Sequence, residues 1–206
     1  MVTLDHIKPV YGFVDPAAGK TDLAMKRVRA RSAIVIGGQD DLGRVFILHA
    51  WAERCSTEKL IEAMYRLTAQ YDLKTLGVEA NGLQALFSDA VIRDAKLAGK
   101  RLPVAPVYQP TRTEKDFRIR TTLQPLLANG KILIQPHMAE LRLEIENFPM
   151  HPTKDLIDAL ASLCRLMPPK DPQLVRDGES EALARYLSNT GAPWEAVEAA
   201  LMKGIA

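Results

Sequence analysis

Tyr11-Gly12-Phe13-Val14-Asp15, followed at once by Pro16-Ala17-Ala18-Gly19, decides how this chain is read. Aromatic and β-branched residues running into an acid describe a buried strand that ends in a carboxylate, and Pro-Ala-Ala-Gly then turns the chain. A carboxylate in that position is costly unless something pairs with it. A divalent cation is the natural partner, because hard metals take oxygen ligands. A lone strand-end acid is usually a solvated turn residue, so the reading depends on whether further acids reach the same place. Glu79, Asp155 and Asp158 are the candidates.

Composition sets the outer bounds. The 206 residues, 47% hydrophobic and 25% charged, suit one globular domain with an appendage. No apolar run is long enough to span a bilayer, and no signal-peptide pattern is visible. Cys55 and Cys164 lie too far apart in sequence to suggest a zinc site or a disulfide framework. A cytoplasmic, reducing setting is the expectation. A formal net charge of +2 makes no case for nucleic acid, so any such case must come from local patches.

Working outward, residues 1–10 read as a lead-in and 11–15 as the first strand. Ser32–Gly38 and Arg44–Trp51 are further strands, joined through Gln39-Asp40-Asp41-Leu42-Gly43, which has hairpin chemistry. The period then changes. Leu60, Ile61, Met64, Leu67 and Tyr71 fall at helical spacing behind capping residues at 56–59. Leu76-Gly77-Val78-Glu79 is a short strand ending in an acid. Asn81 caps a helix with Leu83, Leu86, Phe87, Ala90 and Val91 on one face. Residues 103–108 form another strand, and a helix from Thr113 follows, which Pro125 should bend or shorten. A brief strand at 131–134 and a helix at 140–147 come next.

The helix over 154–167 is the most informative. At 100° per residue, Leu156, Leu160, Leu163 and Met167 share one face, while Asp155, Asp158 and Ser162 share another. A largely buried helix thus presents two acids from its first turn. The fold expected is α/β: a mixed sheet of three antiparallel strands, then alternating helices and parallel strands, flanked by helices over residues 11–168. Pro168-Pro169-Lys170-Asp171-Pro172 is a stiff break, and 169–206 is a helical tail with Trp194, Val197 and Leu201 as an apolar stripe.

In such a sheet the ends of the first and fourth strands lie side by side, and the final helix crosses them. Asp15, Glu79, Asp155 and Asp158 then converge as a metal-binding and catalytic set. Two cations bridged by carboxylates activate a water and stabilise the leaving oxygen in phosphodiester hydrolysis. Tyr-Gly-Phe-Val-Asp-Pro-Ala-Ala-Gly (11–19), Gly-Val-Glu-Ala-Asn-Gly (77–82) and His-Pro-Thr-Lys-Asp-Leu-Ile-Asp-Ala-Leu-Ala (151–161) resemble the three acidic motifs of the ribonuclease H-like nuclease domain of bacteriophage terminase large subunits. Thr111–Arg120 and Leu127–Gly130 resemble that family as well. The resemblance covers residues 8–168 and implies a two-metal endonuclease, using Mg2+ or Mn2+, that cuts concatemeric double-stranded viral DNA during packaging in the host cytoplasm. Asp15 would bridge both ions, Glu79 would hold one, and Asp155, Asp158 or both the other. Portal, small terminase subunit and an ATPase motor are the partners it implies.

The chain departs from complete terminases in having no ATPase motif. Ala18-Gly19-Lys20-Thr21 mimics half of a phosphate-binding loop, but the full motif needs glycine where Val14 stands. Arg112, Lys115, Arg118 and Arg120 are candidate DNA-backbone contacts, with Lys26, Arg27, Arg29 and Arg31 on another segment. A charge run is ordinarily a solvated face. His151 near the final acids is a weaker candidate proton carrier. Two alternatives stay open. RuvC-type Holliday-junction resolvases share a strand-Asp-Pro-Gly start and paired acids spaced like Asp155 and Asp158. The other is a non-catalytic docking module of a packaging assembly, which would have no need of four such acids.

Overall fold

The computed structural model describes residues 7–17, 31–81, 91–93, 95, 99, 101–109 and 114–168. The sheet consists of β1 (Val10–Asp15), β2 (Ser32–Gln39), β3 (Val45–Glu53), β4 (Thr75–Glu79), β5 (Val104–Val107) and β6 (Ile132–Ile134). The helices described are α1 (Thr57–Tyr71), α2 (Lys115–Ala128), α3 (Ala139–Glu146) and α4 (Asp155–Leu166). The strand order is β5-β4-β1-β2-β3-β6. β1, β2 and β3 are antiparallel neighbours, while β4 lies parallel to β1 and β5 parallel to β4. This is the mixed sheet expected from the sequence, three antiparallel strands with parallel strands beside them, and β6 is added parallel to β3 at the far edge.

Strand periodicity sorts the core into two layers. Tyr11, Phe13, Ala33, Val35, Val45 and Ile47 point to one face and pack under Ile119 and Leu123 of α2, Leu141 of α3 and the apolar side of α4. Val10, Val14, Ile34, Ile36, Leu48, Leu76 and Val78 point to the other, under Leu60, Met64 and Leu67 of α1. Both faces are covered, so the central strands read as continuous apolar runs rather than alternating ones. Leu156, Ile157, Leu160 and Leu163 of α4 are each at most 2% exposed. At roughly 1.5–3 kcal/mol per fully buried large apolar side chain, that helix is strongly held.

Local chemistry explains the joints. Asp40, in the β2–β3 turn, accepts from the Leu42 and Arg44 backbone N–H groups and from the Arg44 side chain, while Gly43 takes a φ of 70°. Ser56 caps α1 by accepting from the Lys59 N–H at 3.3 Å. Of the two effects expected of Pro125, shortening is not seen: α2 runs through it to Ala128. Pro125 lies in the last turn on the exposed side, so the carbonyl it leaves without a helical donor, that of Thr121, meets water. The helix face from Leu83 to Ala90 and the tail with Trp194, Val197 and Leu201 lie outside the described residues.

Gly77 sets how closely α4 approaches the sheet. A Cβ there would stand 2.9 Å from both the Leu166 Cδ2 and the Phe13 Cδ2. The leucine tip can turn aside, but Phe13 is fully buried. Gly77→Ala is therefore expected to cost about 1–3 kcal/mol through overpacking. Thermal denaturation should show the melting temperature falling by several degrees; an unchanged value would mean that α4 is free to shift.

Candidate metal centre

Asp15 and Glu79 owe their meeting to register. β1 and β4 are parallel with Val14 opposite Val78, so the next residue on each strand is an acid, side by side at the C-terminal ends. Period-two alternation places both on the face that α4 covers, since Tyr11 and Phe13 pack there. Asp158, in the first turn of α4, completes the group. One ligand oxygen from each of Asp15, Glu79 and Asp158 lies within 4.8 Å of the other two. Opposite oxygens on a Mg2+ ion stand about 4.2 Å apart, twice the usual bond length, so the set is of a size for one hard cation. The donors are all carboxylate, which suits Mg2+ or Mn2+ rather than zinc.

Two cations of the chain face the same acids. Lys115 Nζ lies 2.9 Å from Asp158 Oδ2, and Arg118 donates to Asp158 Oδ1 at 2.8 Å. Arg118 is largely covered, with a side chain 12% exposed, whereas the Lys115 side chain is 45% exposed. Both were candidate DNA contacts in the sequence; here they turn toward Asp158. Arg120 is exposed on the same helix, and Arg112 lies outside the described residues, as do Lys20, Lys26, Arg27 and Arg29.

Asp155 stands beside this group rather than within it. Its Oδ2 accepts from Arg31 Nε at 3.0 Å. Arg31 also donates to Glu140 and, at 3.0 Å, to Glu144 Oε1. Glu144 is fully buried and further accepts from the Thr153 hydroxyl at 2.9 Å and the Ile157 N–H at 2.9 Å. Ile157 is the third residue of α4, so Glu144, and not Asp155, satisfies a donor at the start of the helix that carries both aspartates. The sequence reading passed over Glu144. Its one signal was an acid three residues after Leu141, on the inward side of a short helix.

Gln109 was also passed over. It donates to Ser162 of α4 at 2.7 Å, accepts from Arg165, and exchanges two hydrogen bonds with Asn81. These ties lock the segments just beyond β4 and β5 to α4. His151 is engaged locally, with Nδ1 2.8 Å from the Thr153 carbonyl. The thiols of Cys55 and Cys164 are free, and burial pushes the latter up to about 12.

Electrostatics mark the acids as crowded. Burial, then Glu79, with Asp158 and Asp155 adding less, holds the Asp15 carboxyl well above the usual range, and Lys115 only partly opposes this. Glu79 is raised by burial and by Asp158, though Arg118, Lys115 and a hydrogen bond with Asp15 pull the other way. Burial works against the charge of Lys115, but Asp158 outweighs it and raises the ammonium.

The sign of the pH effect follows. A carboxyl raised on folding binds protons that the unfolded chain releases, so its favourable contribution is complete below the ordinary aspartate value of about 3.9. That contribution fades as pH climbs toward the raised value of Asp15. A cation replaces the lost protons. Metal-free protein should therefore lose stability as pH rises above the ordinary aspartate range, while Mn2+ raises the melting temperature more at higher than at lower pH. A Mn2+ effect independent of pH would remove Asp15 from the site.

No family model matches the chain, and no curated protein does. Among solved structures, RuvC of Thermus thermophilus in complex with a Holliday junction is similar at 13% identity and a TM-score of 0.43, over 75% of this chain and 90% of that one. The nuclease domain of the large terminase subunit gp2 of bacterial virus Sf6, a K428A mutant with manganese and beta-thujaplicinol, is similar at 11% identity and a TM-score of 0.47, over 80% and 90%. The same subunit's K428A form with calcium gives 13% and 0.47, over 77% and 88%. Likenesses this distant transfer no residue roles, so the site stands on the chain's own geometry. Among the described residues, no helix is long and apolar enough to cross a membrane.

Proposed function

We propose that this chain is a metal-dependent DNA endonuclease of the ribonuclease H-like type, acting as the nuclease of a phage terminase large subunit on concatemeric viral DNA. The observation that carries the reading is the convergence of Asp15, Glu79 and Asp158 oxygens within 4.8 Å at the ends of two parallel strands. The three terminase-like sequence motifs supply the finer assignment. Asp15, Glu79 and Asp158 would hold one Mg2+ or Mn2+, and Asp155 is the fourth carboxylate available to a second. A bound ion of this kind supplies an activated water and charge stabilisation for the leaving oxygen. The chain's own groups do the rest. Half-exposed Lys115, paired with Asp158, would be placed to meet a phosphate oxygen. Arg118, held by its surroundings, keeps Asp158 oriented. Exposed Arg120 would extend the basic edge along the DNA backbone, and Arg112 is a further candidate contact from the sequence. Portal, small terminase subunit and an ATPase motor are the partners this reading implies, and the tail from residue 169 is a candidate docking element for one of them, such as the portal.

Nicking of supercoiled plasmid with and without Mn2+ tests the reading; absence of metal-dependent nicking by folded protein overturns it. Calcium should bind but support little turnover, because its looser geometry positions water poorly. The second reading, a RuvC-type resolvase, draws on the three-residue spacing of Asp155 and Asp158. Cleavage of a four-way junction in preference to linear duplex would establish it. A docking module without activity is disfavoured by an acid cluster that costs stability unless a cation fills it.

A further inference from the structure

From the contacts of Arg31 we infer that this residue is a positioning group that holds Asp155 out of the three-acid cluster, making it a reserve ligand. The inference rests on the metal reading above. Asp155 and Asp158 are three residues apart in the first turn of α4 and so project from one side of the helix. Asp155 is near enough to Asp15 to contribute to raising its carboxyl. Yet only Asp158 joins the cluster. The difference between them is their partners: Asp158 faces Lys115 and Arg118, whereas Asp155 is gripped by Arg31 Nε at 3.0 Å.

Arg31 is itself fixed. It immediately precedes β2, whose Ala33 lies opposite Asp15, and its other nitrogens reach Glu140 and Glu144 of α3. Fully buried Glu144 binds both the guanidinium and the start of α4, so it sets the distance between Arg31 and the turn that carries Asp155. The Arg31 side chain is 16% exposed, which leaves its grip hard for water to loosen. A planar fork with three carboxylates around it is well satisfied, and Asp155 has no reason to swing inward while it stays.

The test is calorimetric titration of the full chain with Mn2+ in the absence of DNA. Arg31→Gln frees Asp155, and Mn2+ should bind roughly tenfold more tightly, the scale on which groups around a ligand tune a metal site. Adding Asp155→Asn to Arg31→Gln should erase that gain, which a general change in folding would not do. Should Arg31→Gln fail to fold because Glu144 loses its counter-charge, Arg31→Gln/Glu144→Gln removes both charges and should show the same gain. Folded variants with unchanged or weaker Mn2+ binding overturn the role of Arg31. Wild-type protein that takes up no Mn2+ sinks the metal reading itself, and the inference with it.

Discussion

Asp15→Asn is expected to abolish Mn2+-dependent plasmid nicking while leaving the fold intact. Asp15 is the acid most crowded by its neighbours: burial and the charges of Glu79, Asp158 and Asp155 all act against its ionised form. Losing even an outer partner of a metal ligand costs about 10–100-fold, so loss of a central ligand should exceed that range. Stability should move the other way. Without a cation, removing one of several clustered carboxylates relieves repulsion, and the metal-free melting temperature should hold or rise. Glu79→Gln should behave alike, with a smaller rise. The measurements are plasmid nicking at saturating Mn2+ and thermal denaturation in a chelator. Normal cleavage by Asp15→Asn in folded form would dismantle the site assignment.

Much of the acid cluster was legible because two of its members sit at strand ends. A strand of period two followed by a turn fixes which residue comes last, and two parallel strands in register bring Asp15 and Glu79 together without further information. Asp158 was legible for a related reason. An acid flanked by Ile157 and Ala159 on a buried helix needs a partner, and it is 4% exposed with Lys115, Arg118 and the strand-end acids around it. The partners of Asp155 were not legible. Arg31 lies 124 residues away in sequence and Glu144 belongs to a different helix; only the folded arrangement of α3 against α4 joins them. Lys115 and Arg118 show the same limit in another form. Their spacing describes one helical face, but whether that face meets water, DNA or the chain's own acids depends on where α2 packs. Pro125 does not shorten α2, since a proline in an exposed last turn removes one hydrogen bond and leaves the rest of the helix standing.

Asp158→Asn should be the more damaging of the two substitutions on α4, and by different means from Asp155→Asn. The asparagine keeps an oxygen that can accept from Arg118 but loses the charge that Lys115, Arg118 and a cation all require. Turnover should fall by more than about 100-fold. Stability should fall as well, by about 1–3 kcal/mol, since hydrogen bonds from charged groups to a buried carboxylate are weakened together. Part of that loss is offset, because Asp15 and Glu79 lose a like-charged neighbour and Lys115 can turn to them. Asp155→Asn leaves Arg31 with Glu140 and Glu144, so its effect on the melting temperature should be small, within the 1 kcal/mol typical of a partly exposed pair. If Asp155 is recruited to a second ion during turnover, Asp155→Asn will cleave slowly and need more Mn2+, without a change in the affinity of the first ion. Turnover measured against Mn2+ concentration separates the cases. A dead Asp155→Asn beside a fully active Asp158→Asn would reverse the assignment and make Asp155 the ligand, with the pairing of Lys115 and Arg118 to Asp158 serving only to hold α2 against α4.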